Sequence, residues 1–91
     1  MRATILVRPK PGILDPQGQA VTSALEHLGF EVAETRVGRL IELELPQEDR
    51  DEALADVERM CEQLLTNPLI ESYTIELDGA PVPAPAHSGA A

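Results

Sequence analysis

Apolar and polar residues alternate along several short segments of this chain, a period-two pattern that is typical of β-strands. The segments 4–8, 30–37, 40–45 and 70–77 are each predicted to form a strand. The second and third of these are predicted to be joined by a tight connection near residues 37–39. Two strands of a hairpin therefore lie in the middle of the chain, and one strand lies near each end of the folded part.

Two further segments repeat apolar residues at helical spacing. Asp15 and Pro16 predict the start of the first helix, because Asp accepts hydrogen bonds from free amides and Pro loses none at that position. Gly29 is suited to end it. Its apolar stripe is Val21, Ala24, Leu25 and Leu28. The second helix is predicted to follow Pro46, with the acids of 48–52 in its first turns, where they complement the helix dipole, and to end at residues 67–68. Its predicted inward-facing residues are Ala53, Leu54, Val57, Cys61, Leu64 and Leu65.

The element order βαββαβ predicts a ferredoxin-like α+β fold, in which a four-stranded antiparallel sheet carries both helices on one face. The other face of the sheet would then present Thr4, Leu6, Arg8, Leu40, Glu42, Glu44, Ser72, Thr74 and Glu76. Two leucines among charges of both signs indicate that this face, or an edge strand, meets another subunit. An ordinary solvated face is the alternative.

The length of 91 residues allows one domain, predicted over residues 1–77. Residues 78–91 are rich in Pro and Ala with little charge and few bulky side chains, which predicts a disordered C-terminal tail. A domain this small buries roughly 60–70% of the surface of its unfolded chain. We therefore expect oligomerisation to supplement its core.

Charge separates the two halves of the folded part. The net charge is −9, and five of the seven basic residues precede position 40 while acids crowd the segment 42–62. The overall acidity argues against nucleic acid as a partner, and one Phe and one Tyr offer few stacking surfaces. No apolar run suits a membrane span and no signal peptide is recognised, so with one free cysteine we expect a cytoplasmic protein.

Candidate catalytic groups are few. His27 lies beside Glu26 on a helix flank, His87 lies in the predicted tail, and Cys61 lies on an apolar stripe, where a small buried hydrophobe is the simpler interpretation. The acids of 48–62 surround an exposed helix face and do not converge as metal ligands would. The sequence predicts no catalytic residue, no metal and no cofactor of its own.

The loop 10–18 is the most distinctive local feature. It leads into a helix N-terminus, where free amides could receive an anion, but Asp15 occupies that position. Gly18 in the first turn costs about 1 kcal/mol relative to Ala. A helix accepts that cost more readily where another part of the chain packs against its backbone, and a plain capped helix start is the alternative.

Four blocks of sequence, met in order, resemble one known family. They are Lys-Pro-Gly-Ile-Leu-Asp-Pro-Gln-Gly at 10–18, Ala-Val-x-x-Ala-Leu-x-x-Leu-Gly-Phe at 20–30, Val-x-x-x-Arg-x-Gly-Arg-x-Ile-Glu-Leu at 32–43 and Cys-Glu-x-Leu-Leu-x-Asn-Pro-x-Ile-Glu-x-Tyr at 61–73. Together they resemble the PurS family, the small subunit of phosphoribosylformylglycinamidine synthase, from about residue 2 to residue 77. Arg39 stands where that pattern has Lys, which keeps the cation.

The resemblance implies a non-catalytic subunit in de novo purine biosynthesis. Such a subunit bridges a glutaminase subunit and an ATP-dependent synthetase subunit and supports ammonia transfer between them, and family members form dimers or tetramers. The resemblance adds no cofactor. Motif match and charge together select a candidate partner-facing surface made of Lys10, Asp15, Gly18, Arg36, Gly38 and Arg39.

Two other functions remain open on the sequence alone. Domains with βαββαβ order often bind small effectors at dimer interfaces, so a dimeric ligand-sensing module is the main alternative. A small dimeric enzyme is the second, for which Tyr73 is the one candidate inside the sheet cavity.

Overall fold

The computed structural model of the protein describes residues 1–82. Its strands are β1 (Arg2–Pro9), β2 (Arg39–Glu44), β3 (Glu71–Leu77) and β4 (Ala80–Pro81). Its helices are α1 (Pro16–His27) and α2 (Arg50–Met60), and α2 continues into a π-helical turn over Cys61–Leu65. The strands form one antiparallel sheet in the order β2-β1-β3-β4, which confirms the predicted class of a four-stranded sheet with two helices.

One face of the sheet carries the hydrophobic core. The alternation of β1 buries Ala3, Ile5 and Val7, and β1 lies between β2 and β3, so its neighbours contribute residues in register on the same face. The buried hydrophobic residues are Ala3, Ile5, Val7, Ala53, Val57, Cys61, Tyr73, Ile75 and Leu77. The predicted inward faces of β3 and of the α2 segment at 53, 57 and 61 are confirmed.

Helix α2 covers this core and begins at a side-chain cap. The Asp49 carboxylate accepts hydrogen bonds from the amides of Asp51 at 2.8 Å and Glu52 at 3.1 Å, which satisfies two amides that have no partner within the helix. At the other end the Thr66 amide donates to the Cys61 carbonyl at 3.1 Å, five residues back, and the Thr66 hydroxyl donates to the same oxygen at 2.8 Å.

The π-helical turn corrects one predicted core residue. Each turn of a π-helix holds more residues than a turn of an α-helix, so residues after Cys61 rotate out of the apolar stripe extrapolated from α2. Leu65 is half-buried against the core, whereas Leu64 is 82% exposed, and the prediction that Leu64 faces inward is wrong.

The predicted strand at 30–37 is also wrong. Residues 30–38 have no strand partner in the described part of the chain; they lead into β2 without the predicted turn at 37–39. The fourth strand of the sheet is instead β4. The reason is that the extended segment is held against α1: the Thr22 hydroxyl donates to the Thr35 hydroxyl at 2.7 Å, away from the sheet.

Helix α1 and the segment 28–38 together form a projection that we call the arm (residues 16–38). Only Gly18 of α1 is buried, although the sequence placed the apolar stripe of this helix on the core. Val21 is 40% exposed, Leu28 is 72% exposed and Phe30 is 60% exposed. The arm therefore leaves its apolar side uncovered by the described residues of its own chain.

The predicted domain boundary at residue 77 falls at the end of β3. Beyond it, within the segment assigned to the tail, Asp78 and Gly79 form a turn into β4, and the Val82 amide donates to the Ile75 carbonyl at 2.9 Å. Residues 83–91 lie outside the described residues, so the disordered tail and the domain division stay predictions.

Replacing Leu77 and Leu64 separately by Ala tests this arrangement of the core. Leu77→Ala should lower the free energy of unfolding by about 2–5 kcal/mol, because it leaves a cavity between β3 and α2. Leu64→Ala removes the same atoms from an exposed position and should change it by less than about 0.5 kcal/mol. Urea denaturation at one protein concentration measures both values, and equal losses would contradict the rotated position of Leu64.

Candidate interaction surface

The six residues predicted to form or shape a partner-facing surface meet in one region, where the arm joins the sheet. Arg36 and Gly38 immediately precede β2, Asp15 and Gly18 begin α1, and Lys10 follows β1. The Lys10 amide donates to the Ile70 carbonyl at 2.8 Å, which ties the end of β1 to the residue before β3. Sequence analysis thus selected residues that are close in space although up to 29 positions apart.

Asp15 joins the two halves of the arm through its carboxylate. One oxygen, Oδ1, accepts from the Gly18 amide at 3.0 Å and caps α1, while Oδ2 accepts from the Val37 amide at 2.8 Å. These hydrogen bonds, that from Val37 first, hold the pKa of Asp15 below its usual range. The bonds favour the charged carboxylate, so they persist at neutral pH and are lost as the pH falls through that lowered pKa.

Two glycines permit close approach of backbone to backbone. A Cβ atom on Gly18 would lie 2.1 Å from the Thr35 carbonyl oxygen, and a Cβ atom on Gly38 would lie 2.1 Å from the Val7 carbonyl oxygen. Both distances are far inside van der Waals contact, so any side chain at either position would force the arm away from its neighbour. This explains why α1 tolerates Gly in its first turn.

The arginines of this region are held by neighbouring groups. A guanidinium nitrogen of Arg36 donates to the Pro9 carbonyl, and Arg39 Nη2 lies 2.7 Å from Glu71 Oε1. Both arginines border a cleft at the junction of β1 and β2, where Arg8 also lies. An exposed ion pair such as Arg39–Glu71 contributes roughly 0–1 kcal/mol, so it adds little to the stability of the fold, while the Arg36 contact ties the end of the arm to the end of β1.

The arrangement of the arm suits it for contact with protein. Its apolar residues include Val21, Leu28 and Phe30. The place where it meets the sheet, which we call the root (residues 36–39, up to the first residue of β2), carries the cations Arg36 and Arg39. Apolar surface flanked by charge is the composition of specific protein interfaces. The sequence selected the residues of the root by charge and motif match, and their contact with a partner stays a prediction. The exposed side of α1 was missed; the one signal for it was Gly18, whose cost in a helix indicated that another part of the chain packs against its backbone.

The reactive side chains outside the arm are accounted for by packing. Cys61 is fully buried, and burial first, then the charges of Glu62 and Glu58, raises the pKa of its thiol to about 11. Burial likewise raises the pKa of Tyr73, whose hydroxyl lies 3.2 Å from Glu62 Oε1. A neutral thiol and phenol are poor nucleophiles. His27 is exposed at the end of α1, and His87 lies outside the described residues.

Residues 1–82 contain no helix that is long and apolar enough to span a bilayer. They also contain no group of three or more His, Cys, Asp or Glu side chains placed to hold a metal ion.

Fold and site together define a class of small α+β domain with an exposed apolar arm and a cationic root. Residues 2–79 match the model of the PurS family, described as phosphoribosylformylglycinamidine (FGAM) synthase. The PurS subunit of phosphoribosylformylglycinamidine synthase from Synechocystis sp. is 43% identical over 83 residues, covering 87% of this chain and 83% of that protein. That from Methanocaldococcus jannaschii is 35% identical, covering 85% and 94%.

Solved structures agree. Bacillus subtilis PurS superposes with a TM-score of 0.73 at 41% identity, covering 82% of this chain and 94% of that one. A chain in the structure of PurLQS from Thermotoga maritima superposes with a TM-score of 0.75 at 33% identity, covering 82% and 93%. The chain therefore belongs to the PurS family of phosphoribosylformylglycinamidine synthase subunits.

Gly18→Ala tests whether close backbone contact holds the arm. In an ordinary helix interior this change stabilises by about 1 kcal/mol. Here we expect it to destabilise by about 1–3 kcal/mol, since the methyl group would overlap the Thr35 carbonyl. Urea denaturation gives the sign, and faster amide hydrogen exchange at Val37 would localise the effect to the arm.

The control for this variant is Ser23→Ala, at an exposed position of the same helix. It should change the free energy of unfolding by no more than about 0.5 kcal/mol. A stabilised Gly18→Ala protein with unchanged exchange at Val37 would show that the backbones do not lie in contact.

Proposed function

We propose that this protein is the non-catalytic small subunit of a phosphoribosylformylglycinamidine synthase complex in purine biosynthesis, where it bridges a glutaminase subunit and an ATP-dependent synthetase subunit and supports passage of ammonia between them. The observation that carries the proposal is the exposed arm, together with membership of the PurS family. One of the similar solved chains comes from a structure of PurLQS from Thermotoga maritima, which supports a place in a complex. A free, buried Cys61 favours a cytoplasmic location for this one.

The proposal includes self-association into a homodimer or tetramer through the arm. Helix α1 has an apolar side that residues 1–82 leave uncovered, and β2 has core-face residues Ile41 and Leu43 that are only half-buried. A helix packed over the core side of β2 would bury both its own apolar side and these half-buried residues of β2. In one chain the extended segment 30–38 holds α1 away from that place, so we infer that the α1 helices of two copies cover each other's sheets.

The root of the arm is the proposed contact with the other subunits. Arg36 and Arg39 are exposed there, in a chain whose net charge is −9. Cations at the rim of an interface steer and orient an acidic partner. Lys10, Asp15, Gly18 and Gly38 then act by shaping this surface.

The double substitution Arg36→Glu and Arg39→Glu should weaken complex formation by about tenfold or more, since it places like charges against the acidic partner. The measurement is affinity for the purified synthetase and glutaminase subunits, with glutamine-dependent turnover alongside. Arg50→Glu with Arg59→Glu makes the same charge change on α2 and should leave affinity unchanged.

Omitting the chain from the mixture with synthetase and glutaminase subunits tests the bridging function separately from the assignment of the root as the contact. If turnover persists without it, the bridging function is wrong. If turnover is lost without it but the Arg36 and Arg39 variant binds like the parent, the function stands and the assignment of the root as the contact fails.

Leu28→Gln tests association through the arm. Burying a leucine contributes roughly 1.5–3 kcal/mol, and a symmetric dimer contains two such positions, so the variant should dissociate at concentrations where the parent is paired. Light scattering after gel filtration measures the mass. Leu69→Gln, at a leucine that is 83% exposed outside the arm, should leave the mass unchanged. Unchanged mass for both would contradict the exchange of helices.

A further inference from the structure

Large aliphatic side chains are exposed on two loops at one end of the sheet. In the loop that follows β1, Leu14 is 67% exposed and Ile13 is also exposed; in the loop that precedes β3, Leu69 is 83% exposed and Ile70 is exposed. Because β1 and β3 are antiparallel neighbours, the end of one lies beside the start of the other. We call these two loops, residues 10–14 and 66–70, the apolar loops. They lie outside the arm, so the pairing of arms proposed above does not account for their exposure.

Hydrogen bonds within the chain hold the apolar loops together. The Lys10 amide donates to the Ile70 carbonyl at 2.8 Å, and the Ile13 amide donates to the Lys10 carbonyl at 3.1 Å. In the second loop the Ile70 amide donates to the Asn67 carbonyl at 3.1 Å, and the Leu69 amide donates to the Asn67 side-chain oxygen at 3.2 Å. Adding a strand requires free backbone groups, and these amides already have acceptors. A partner therefore contacts the loops through side chains.

Cations surround the apolar loops. Residues 8–15, 36–39 and 64–71 meet at this end of the sheet and contain four basic residues and two acids, in a chain whose net charge is −9. The basic residues are Arg8, Lys10, Arg36 and Arg39. Within residues 1–82 neither Arg8 nor Lys10 lies in an ion pair. This end of the sheet is therefore locally cationic.

The acids of this region are bonded within the chain. Both oxygens of the Asp15 carboxylate accept backbone amides. Glu71 Oε1 accepts from the Asn67 amide at 2.7 Å and lies 2.7 Å from Arg39 Nη2. Glu62, in the π-helical turn, accepts from the Tyr73 hydroxyl at 3.2 Å. The charge offered to a partner beside the apolar loops is thus mainly that of Arg8 and Lys10, with Arg36 at the root.

We propose that the apolar loops bind an amphipathic helix of a partner subunit, one that carries Asp or Glu beside its apolar side. The proposal rests on the proposed function in taking the synthetase and glutaminase subunits as the partners. Exposed aliphatic side chains favour binding when a partner removes them from water, and cations at their border favour carboxylates. A helix suits loops whose backbone is already bonded, since it satisfies its own amides and presents side chains alone.

Replacing Leu14 and Leu69 together by Gln tests the apolar part of this contact. The variant should bind the purified synthetase and glutaminase subunits about a hundredfold more weakly, because two leucines no longer contribute their burial. Leu14→Met with Leu69→Met keeps the apolar surface and should bind like the parent. Both leucines are exposed, so urea denaturation should give both variants the stability of the parent. Affinity is measured by titration, with glutamine-dependent turnover alongside.

Salt tests the charge of the partner. The affinity of the parent should fall by about tenfold or more between ionic strengths of about 0.1 M and about 1 M, because the Debye length shortens from roughly 10 Å to roughly 3 Å. Arg8→Gln with Lys10→Gln should bind more weakly than the parent at the lower ionic strength and equally at the higher one. Arg50→Gln with Arg59→Gln, on α2, should follow the parent at both.

A photoreactive group at position 13 identifies what the loops contact. The one native cysteine, Cys61, is fully buried, so the variant Ile13→Cys can be labelled selectively with a benzophenone maleimide. After illumination with the two subunits, mass spectrometry of the cross-linked peptide should show aliphatic residues spaced three and four apart, with Asp or Glu among them.

The outcomes separate this inference from the proposed function. Turnover that continues when the chain is omitted makes the proposed function wrong, and the docking of a helix from those subunits fails with it. If turnover needs the chain but the Gln variant binds like the parent, or the Met variant is weakened equally, the function stands and the apolar loops are not the contact. Affinity that does not change with salt, or a cross-linked peptide without the helical pattern, overturns the acidic helix as the partner.

Discussion

The hydrogen bonds of Asp15 are the constraint on which the rest of this structure depends. The Asp15 carboxylate accepts hydrogen bonds from the Gly18 amide of α1 and from the Val37 amide of the extended segment. A single side chain therefore fixes both the start of the helix and the position of the segment that leads into β2. Gly18 lets the two backbones come into contact. Together they make the arm a unit with a defined direction, which a flexible connection between α1 and β2 would not have.

The direction of the arm determines what the chain can bury by itself. With α1 held against residues 30–38, α2 and its π-helical turn are the helical cover of the sheet within the described residues, and the core is built from them with β1 and β3. The core side of β2 and the apolar side of α1 are left short of contacts. Surface of this kind is costly to leave in water, so the same bonds that order the arm also favour association.

The sequence predicted the parts that depend on local rules. Alternation along β1, β2 and β3 predicted which residues face the core, and Asp15 and Pro16 predicted where α1 begins. These predictions hold because side-chain period and capping chemistry are set within a few residues. The family resemblance, carried by the same stretches, is confirmed.

Two of the errors, those on α1 and on the segment before β2, share one physical origin, which is that periodicity shows which side of an element is apolar but not what covers it. The apolar stripe of α1 was predicted to pack on the sheet of its own chain. The hydrogen bond from the Val37 amide to the Asp15 carboxylate, 22 residues earlier, instead holds the helix against the extended segment. The prediction of a hairpin turn around Gly38 is wrong for a similar reason. That glycine allows the backbone to lie close to the Val7 carbonyl and does not form a turn. Leu64 differs, since its exposure follows from a helix-end geometry that apolar spacing does not encode.

The core and the arm depend on different interactions and so respond to different changes. The α2 side of the sheet is stabilised by buried apolar volume, so loss of a methyl group is felt most there. The arm is held by the Asp15 carboxylate and by close backbone contact at Gly18, and residues 1–82 leave its apolar side exposed. A residue such as Leu28, which is 72% exposed, therefore contributes little to the interior of its own chain, and a substitution there can alter contact with other chains while the fold is kept.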